Sequence, residues 1–307
     1  MPTYSFVTVD VFTDRRFGGN PLAVFSDARG LSDEDMRSLA AEFNLSETTF
    51  VLPPGDPANS ARVRIFNRRA EMPFAGHPNV GTGWVLAGQG RDRAGVLRFE
   101  ELAGLVEVHV DRTGADLAPS CVTIAAPQPL SLSHEMPIDL LADCVGLDVG
   151  DILIDTHRPI IASLGNPFVI AEVTPAALGR AAPSLARFAS ALKAFPHLGP
   201  RRLPLFLYAH DGRDETAVRV RARMFAPLSG TIEDPATGSA ATPLAALLLS
   251  LGQRDHQRSD KQRFIVVQGV EMGRRSVLVC DAWQAADGVR ASVGGTCVPV
   301  LSGEITL

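Results

Sequence analysis

Cysteine is scarce in this chain. The four residues, Cys121, Cys144, Cys280 and Cys297, form no CxxC pair and no framework spacing, which excludes a disulfide scaffold. They are expected to be small buried hydrophobes in a reducing cytosol. Long apolar runs are missing too. The longest, Leu244 to Leu251 with the alanines before it, is too short to span a bilayer. The opening segment MPTYSFVTVDVF alternates as a strand and has neither the basic start nor the apolar core of a signal peptide. A soluble, cytoplasmic protein with no membrane partner is the expectation. Nor is there an excess of positive charge. The net charge is -5, and the Arg pairs at 15–16, 68–69, 201–202 and 274–275 are scattered among acids. No nucleic-acid partner is expected, since a basic footprint is lacking.

Several catalytic signatures are also absent. There is no GxxxxGK[ST] and no GxGxxG, so the small-residue loops are not nucleotide-phosphate cradles of the usual kinds. The seven histidines are dispersed without HExxH spacing, which argues against a metal centre. Ser239 sits in Thr-Gly-Ser-Ala-Ala rather than in a GxSxG elbow. Acid–base chemistry by side chains alone remains.

What is present is an ordinary globular balance, 46% hydrophobic and 21% charged. A length of 307 residues fits two domains or one large α/β unit. Residues 4–12 and 22–25 are strand-like. Ser32 caps a helix that runs to about Phe43 and stops at Asn44. SETTFVLPP and ARVRIFN follow as strands, AGHPNVGTGWVLAGQG turns into an apolar helix, and residues 96–99, 105–110 and 121–124 complete a strand-rich half. The softest composition, APQPLSLSHEMP at 126–137, places a domain boundary between 1–126 and 127–307. Beyond it come GNPFVIAEV, a helical stretch over 183–195, the strands LPLFLYA and AVRVRARMF, then EDPATGSAATPLAALLL and closing strands. Helices and strands mix without a strict βαβ rhythm, so the class is α+β.

The two halves repeat one another. GNP occurs at 19–21 and 165–167, and RIF at 64–66 answers RMF at 223–225. Glu71, Pro73 and Gly76 recur in the same order as Glu233, Pro235 and Gly238, and both copies lead into an apolar helix. A duplicated domain explains three ordered matches better than chance does. Duplicated halves joined face to face leave a cleft, and each half offers a small-residue turn at a helix N-terminus, AGHPNVGT and ATGSAAT. Free backbone N–H groups there suit a carboxylate or a phosphate. The alternative is that the glycines only permit tight turns.

Three side chains stand out as acid–base candidates. Glu47 begins an otherwise apolar strand. Turned into a cleft, it would be desolvated and suited to carrying a proton near neutral pH; turned outward, it is an exposed strand-edge residue. His77 is held between Gly76 and Pro78 at a helix start, where it is either a catalytic or a structural histidine. Asp234 stands where the other half has Met72. That difference hints at a role on one side only, although an Asp-Pro turn explains it equally.

DVFTDRRFGGNPLAVF, NLSETTFV, RIFNRRAEMPFAGHPNVGT, RMFAPLSGTIEDPATGSA and QGVEMGRRS together resemble the phenazine biosynthesis PhzF-like family, in the family's order and over nearly the whole chain. The resemblance implies a diaminopimelate epimerase-like fold: two similar α+β domains related by a pseudo-twofold duplication, each with a barrel-like sheet around a central helix. In such folds the last strand is able to return to the first domain. The resemblance further implies a cofactor-free isomerase for a small carboxylate-bearing cyclic or amino-acid-derived substrate, of the trans-2,3-dihydro-3-hydroxyanthranilate isomerase kind, working as a homodimer. Carried over by position, Glu47 would shuttle the proton, with His77 and Asp234 assisting. Gly76, Gly238 and Ser239 would hold the substrate carboxylate. At 273–276 the sequence has Arg275 where the family often has Pro. Related racemases use two facing cysteines, but the corresponding positions here are Ala75 and Thr237, so two-thiol chemistry is not expected. A non-cysteine amino-acid epimerase or racemase and a binding protein without turnover are the alternatives.

Overall fold

The computed structural model describes residues 1–113, 118–213, 215–252 and 261–307. The chain divides into two compact units, one of Met1–Ala125 with Gly294–Leu307 and one of Ala126–Val293. The first contains β1 (Thr3–Val11), β2 (Asn20–Phe25), α1 (Asp33–Phe43), β3 (Glu47–Leu52), β4 (Ala61–Asn67), β5 (Glu71–Met72), α2 (Gly76–Gly88), β6 (Val96–Glu101), β7 (Gly104–Asp111) and β8 (Cys121–Ala125). The chain's last strand, Cys297–Thr306, lies antiparallel along β1 from Thr3↔Thr306 to Val11↔Cys297.

Helix α1 makes the crossover that lets β3 run parallel to β2, with Leu22 opposite Glu47. Its ends follow local chemistry: Ser32 and Asp35 form a reciprocal capping box, and Asn44 closes the helix in the left-handed region. Under it Phe25 and Phe50 stack at 5.0 Å, and Phe66 meets Phe50 edge-on. These rings anchor β2, β3 and β4 to one core.

The second unit contains β9 (Ser131–Glu135), α3 (Ile138–Val145), β10 (Ile152–Leu153), β11 (Ile160–Ser163), β12 (Pro167–Val173), α4 (Pro175–Arg180), α5 (Leu185–Ala194), β13 (Leu205–Arg213), β14 (Ala217–Ala226), β15 (Thr231–Asp234), α6 (Gly238–Gly252), β16 (Gln262–Gln268), β17 (Ser276–Ala285) and β18 (Gly288–Gly295). The order is that of the first unit. β12 and β13 are parallel, β14 turns back antiparallel, the short β15 pairs with β14, and after α6 the strand β16 runs parallel to β14 as β6 does to β4. One segment differs from the sequence reading. Within the loose stretch 126–137 lies β9, exposed along its length and paired with β11 through its backbone. Its side chains carry no apolar pattern that would reveal it.

Each unit has one helix enclosed by sheet. Eleven of the 13 residues of α2 are buried, as are ten of the 15 in α6, the mark of an apolar helix surrounded on all sides. Small residues make the enclosure of α2 feasible. A Cβ on Gly81 would stand 2.6 Å from Leu22 and 2.8 Å from Val11. Among the described residues no helix is long and apolar enough to cross a membrane.

Candidate active site

Sheet register turns the sequence repeat into a structural one. Phe66 of the RIF segment faces Thr48, and Phe225 of the RMF segment faces Leu205. Ile65 faces Met72, while Met224 faces Asp234. Asp234 therefore occupies in the second unit the place Met72 has in the first, and the counterpart of Glu47 is Pro204.

In the first unit the structure brings Glu47 and His77 together. Glu47 is the first residue of β3, and His77 is the second residue of α2. Glu47 Oε2 lies 3.3 Å from His77 Nε2. The approach is within ion-pair distance but is not aligned as a hydrogen bond. The ring is buried, and desolvation lowers the His77 pKa to about 3, so it is neutral at physiological pH. On its far side Asn20 Nδ2 stands 3.4 Å from His77 Nδ1. An amide donor there leaves the ring proton on Nε2, the nitrogen turned toward Glu47. Asn20 is fully buried, and its place is set by Gly19, whose φ is +61° and whose missing Cβ would stand 2.3 Å from the Val11 carbonyl oxygen. Gly76 is the first residue of α2, preceded by Ala75 without a side-chain cap, and there is no acid in the first turn. The helix start is thus electropositive and carries no side-chain cap.

In the second unit Asp234, Gly238 and Ser239 sit within one turn of each other. Asp234 ends β15 and is buried, and the Thr237 hydroxyl donates to its Oδ2. Gln268, fully buried at the end of β16, accepts from the Thr237 backbone N–H at 3.0 Å and donates to the Asp234 carbonyl at 2.7 Å. Gly238 opens α6, and Ser239 behind it is half-buried. The Asp-Pro turn alone does not account for Asp234, because its carboxylate is engaged by a hydroxyl and its carbonyl by an amide.

Both loops are braced in the same way. Arg64 makes two hydrogen bonds to Glu71, at 2.7 and 2.6 Å, and lies over the Phe66 ring. Arg223 makes two to Glu233, both at 2.8 Å, and lies over Phe225. Fork-to-fork pairs of this kind fix direction as well as distance, and each holds the strand that leads into a helix start.

Asn20 and Gln268 were not among the residues singled out from sequence. The repeated GNP and the QG of QGVEMGRRS were visible signals, but neither says what its amide would meet. None of the cysteines stands at a helix start. Burial pushes the thiols of Cys144, Cys280 and Cys297 up, that of Cys144 to about 12, which makes them poor nucleophiles. Position 75 is alanine and position 237 is threonine, as the sequence requires.

A family model described as phenazine biosynthesis-like protein matches residues 9–303. The chain belongs to that family. The chain is 36% identical to an uncharacterized isomerase of Mesorhizobium japonicum over 99% of both chains. It is also 36% identical to trans-2,3-dihydro-3-hydroxyanthranilate isomerase of Pseudomonas aeruginosa over 94% of both. The crystal structure of a PhzF-family phenazine biosynthesis protein from Bacillus anthracis covers all of both chains with a TM-score of 0.87 at 26% identity. The chain is accordingly an isomerase, with the diaminopimelate epimerase-like α+β fold that its sequence resemblance implies.

Proposed function

We propose that this isomerase moves a proton on a small carboxylate-bearing ring, of the trans-2,3-dihydro-3-hydroxyanthranilate kind, with Glu47 as the group that takes the proton and gives it back. The observation that carries the reading is the 3.3 Å approach of Glu47 to a buried, neutral His77 at the uncapped start of α2. A carboxylate at that position takes a proton from one ring carbon, the electron pair shifts along the conjugated system, and the same proton is returned to another carbon on the same face. The step changes no oxidation state and needs no cofactor, since one carboxylate serves as base and then as acid. His77, with its Nε2–H toward Glu47, steadies the carboxylate while it is charged. The relatives named as isomerases of this ring compound support the substrate class. Asp234 assists through a hydrogen bond, and the backbone N–H groups of Gly76 and Gly238 with the Ser239 hydroxyl hold the substrate carboxylate.

Proton NMR in D₂O of the wild type and Glu47→Gln, each with trans-2,3-dihydro-3-hydroxyanthranilate, tests the proposal. Isomerisation by the wild type and its loss in the variant is the expected result. Full turnover by Glu47→Gln overturns the mechanism. A silent ring compound together with α-proton exchange in an amino acid overturns the substrate class in favour of an epimerase.

A further inference from the structure

The turn that joins β1 to β2 begins and ends with an aromatic residue in the left-handed region, Phe12 at φ +65° and Phe17 at φ +68°. A side chain there brings its Cβ against the following carbonyl oxygen, so bulky residues are rarely found in it. Phe12 is fully buried, and the apolar area it hides offsets the conformation. Phe17 lacks that compensation, because it is 69% exposed. Glycine takes the same φ without a clash, as Gly19 does two residues on at +61°. Packing within the first unit gives no reason for a phenylalanine at position 17.

The turn is nevertheless fixed from several sides. The Phe17 N–H donates to the buried Asp10 carboxylate at 2.6 Å, and the Gly18 N–H donates to the Arg15 carbonyl at 3.2 Å. The Thr13 N–H donates to the Thr296 carbonyl at 3.2 Å. Arg16 Nε donates to the Pro299 carbonyl at 3.0 Å, which ties the turn to the chain's last strand. Strained residues that their surroundings over-determine gather where a protein meets its ligand. This turn stands at such a place. It leads into Asn20, whose Nδ2 is 3.4 Å from His77 Nδ1, and into β2, where Leu22 lies opposite Glu47. Phe17 is three positions before Asn20, a span of about 11 Å at most. A six-membered ring bound at Glu47 and His77 comes within its reach.

We infer that Phe17 is a substrate-binding residue whose ring lies against one face of the substrate's ring, and that the strained turn keeps it exposed for that contact. The inference rests on the proposed site at Glu47 and His77. It narrows the substrate to a flat or conjugated ring, since an exposed aromatic face gains most from another such face and little from a small polar amino acid. The conformation of the turn then costs stability in the free enzyme and is offset when substrate binds.

Anthranilate, a flat ring with a carboxylate and no proton to shift, is the probe, titrated calorimetrically into the wild type, Phe17→Asn and Phe17→Tyr. Asparagine tolerates the left-handed region and lacks the ring, whereas tyrosine keeps the ring. The asparagine variant is expected to bind anthranilate about 3- to 10-fold more weakly, and the tyrosine variant as tightly as the wild type. Without ligand, Phe17→Asn should melt at or above the wild-type temperature, the reverse of what losing a packed ring produces. With trans-2,3-dihydro-3-hydroxyanthranilate the loss is expected in KM rather than in kcat, because Phe17 touches no reacting atom. Equal anthranilate affinity in the wild type and Phe17→Asn overturns the inference, and so does a wild type that binds no anthranilate. A lowered melting point in Phe17→Asn overturns it as well, since the ring is then part of the packing. A smaller particle in light scattering does the same, by placing the ring against a second copy of the chain. A wild type that binds anthranilate through Phe17 but leaves the dihydro compound unchanged removes the proposed reaction and supports this contact.

Discussion

At the head of β3 the first half of the molecule has Glu47, and at the matching position before Leu205 the second half has Pro204. Where the first half has His77, the second has Ser239, and where it has Met72, the second has Asp234. Around these differences the frame is held constant: an Arg–Glu fork over a Phe ring, a short strand, and an enclosed helix with an uncharged first turn. Pro204 retains the backbone part of its role, since its carbonyl accepts from the Val169 N–H at 3.0 Å, and gives up only a side chain able to carry a proton. The comparison teaches that duplication preserved the scaffold while a carboxylate beside a buried histidine is present in one copy only. This fits a mechanism with one base on one face rather than two opposed bases.

Several variants test that asymmetry. The largest effect is expected for Glu47→Gln, with kcat reduced roughly 10²–10⁴-fold, KM near the wild-type value and an unchanged circular-dichroism spectrum. Next is Arg223→Ala. It strands the half-buried Glu233 and removes the donor to the Leu178 and Ala181 carbonyls, and denaturant unfolding should show a loss of about 3–5 kcal/mol. Arg64→Ala should cost less, because Glu71 is more exposed and the third partner, Asp33, lies in solvent. Equal costs would mean that the two braces are equivalent after all.

Asp234→Met gives the second half the residue of the first. Turnover should fall by roughly 10²-fold, with a stability loss of about 1–3 kcal/mol because the buried Thr237 hydroxyl loses its acceptor. Unchanged turnover would remove Asp234 from the chemistry. Gly81→Ala should destabilise by about 1–3 kcal/mol through overpacking against Leu22 and Val11, measured by the same unfolding curves. The smallest effect at neutral pH belongs to His77. Its folded pKa, about 3, lies below the unfolded value near 6.5, so the unfolded chain binds more protons as the pH falls between these values. Stability present above pH 6.5 is therefore lost progressively toward pH 3. His77→Gln should flatten that acid slope in a series of melts without shifting the melting point at pH 8.

Much of this was legible in the chain itself. The capping box at Ser32, the stop at Asn44, the apolar helices after Pro73 and Pro235, and the matched Glu-x-Pro-x-x-Gly segments are local patterns. Backbone preference and hydrophobic periodicity express such patterns wherever they occur. Glu47 stood out as a carboxylate at the start of an apolar strand and His77 as a ring held between Gly76 and Pro78 at a helix start, and the family resemblance implied their roles. The sequence also determined that no thiol stands at either helix start. Tertiary structure alone decided that Glu47 and His77, thirty positions apart, meet at 3.3 Å. It alone decided that Asn20 stands beside the buried His77 ring and that Gln268 secures the Asp234 loop. Those outcomes depend on sheet register and on how completely water is excluded around each polar atom, and neither is a property of a short stretch of sequence.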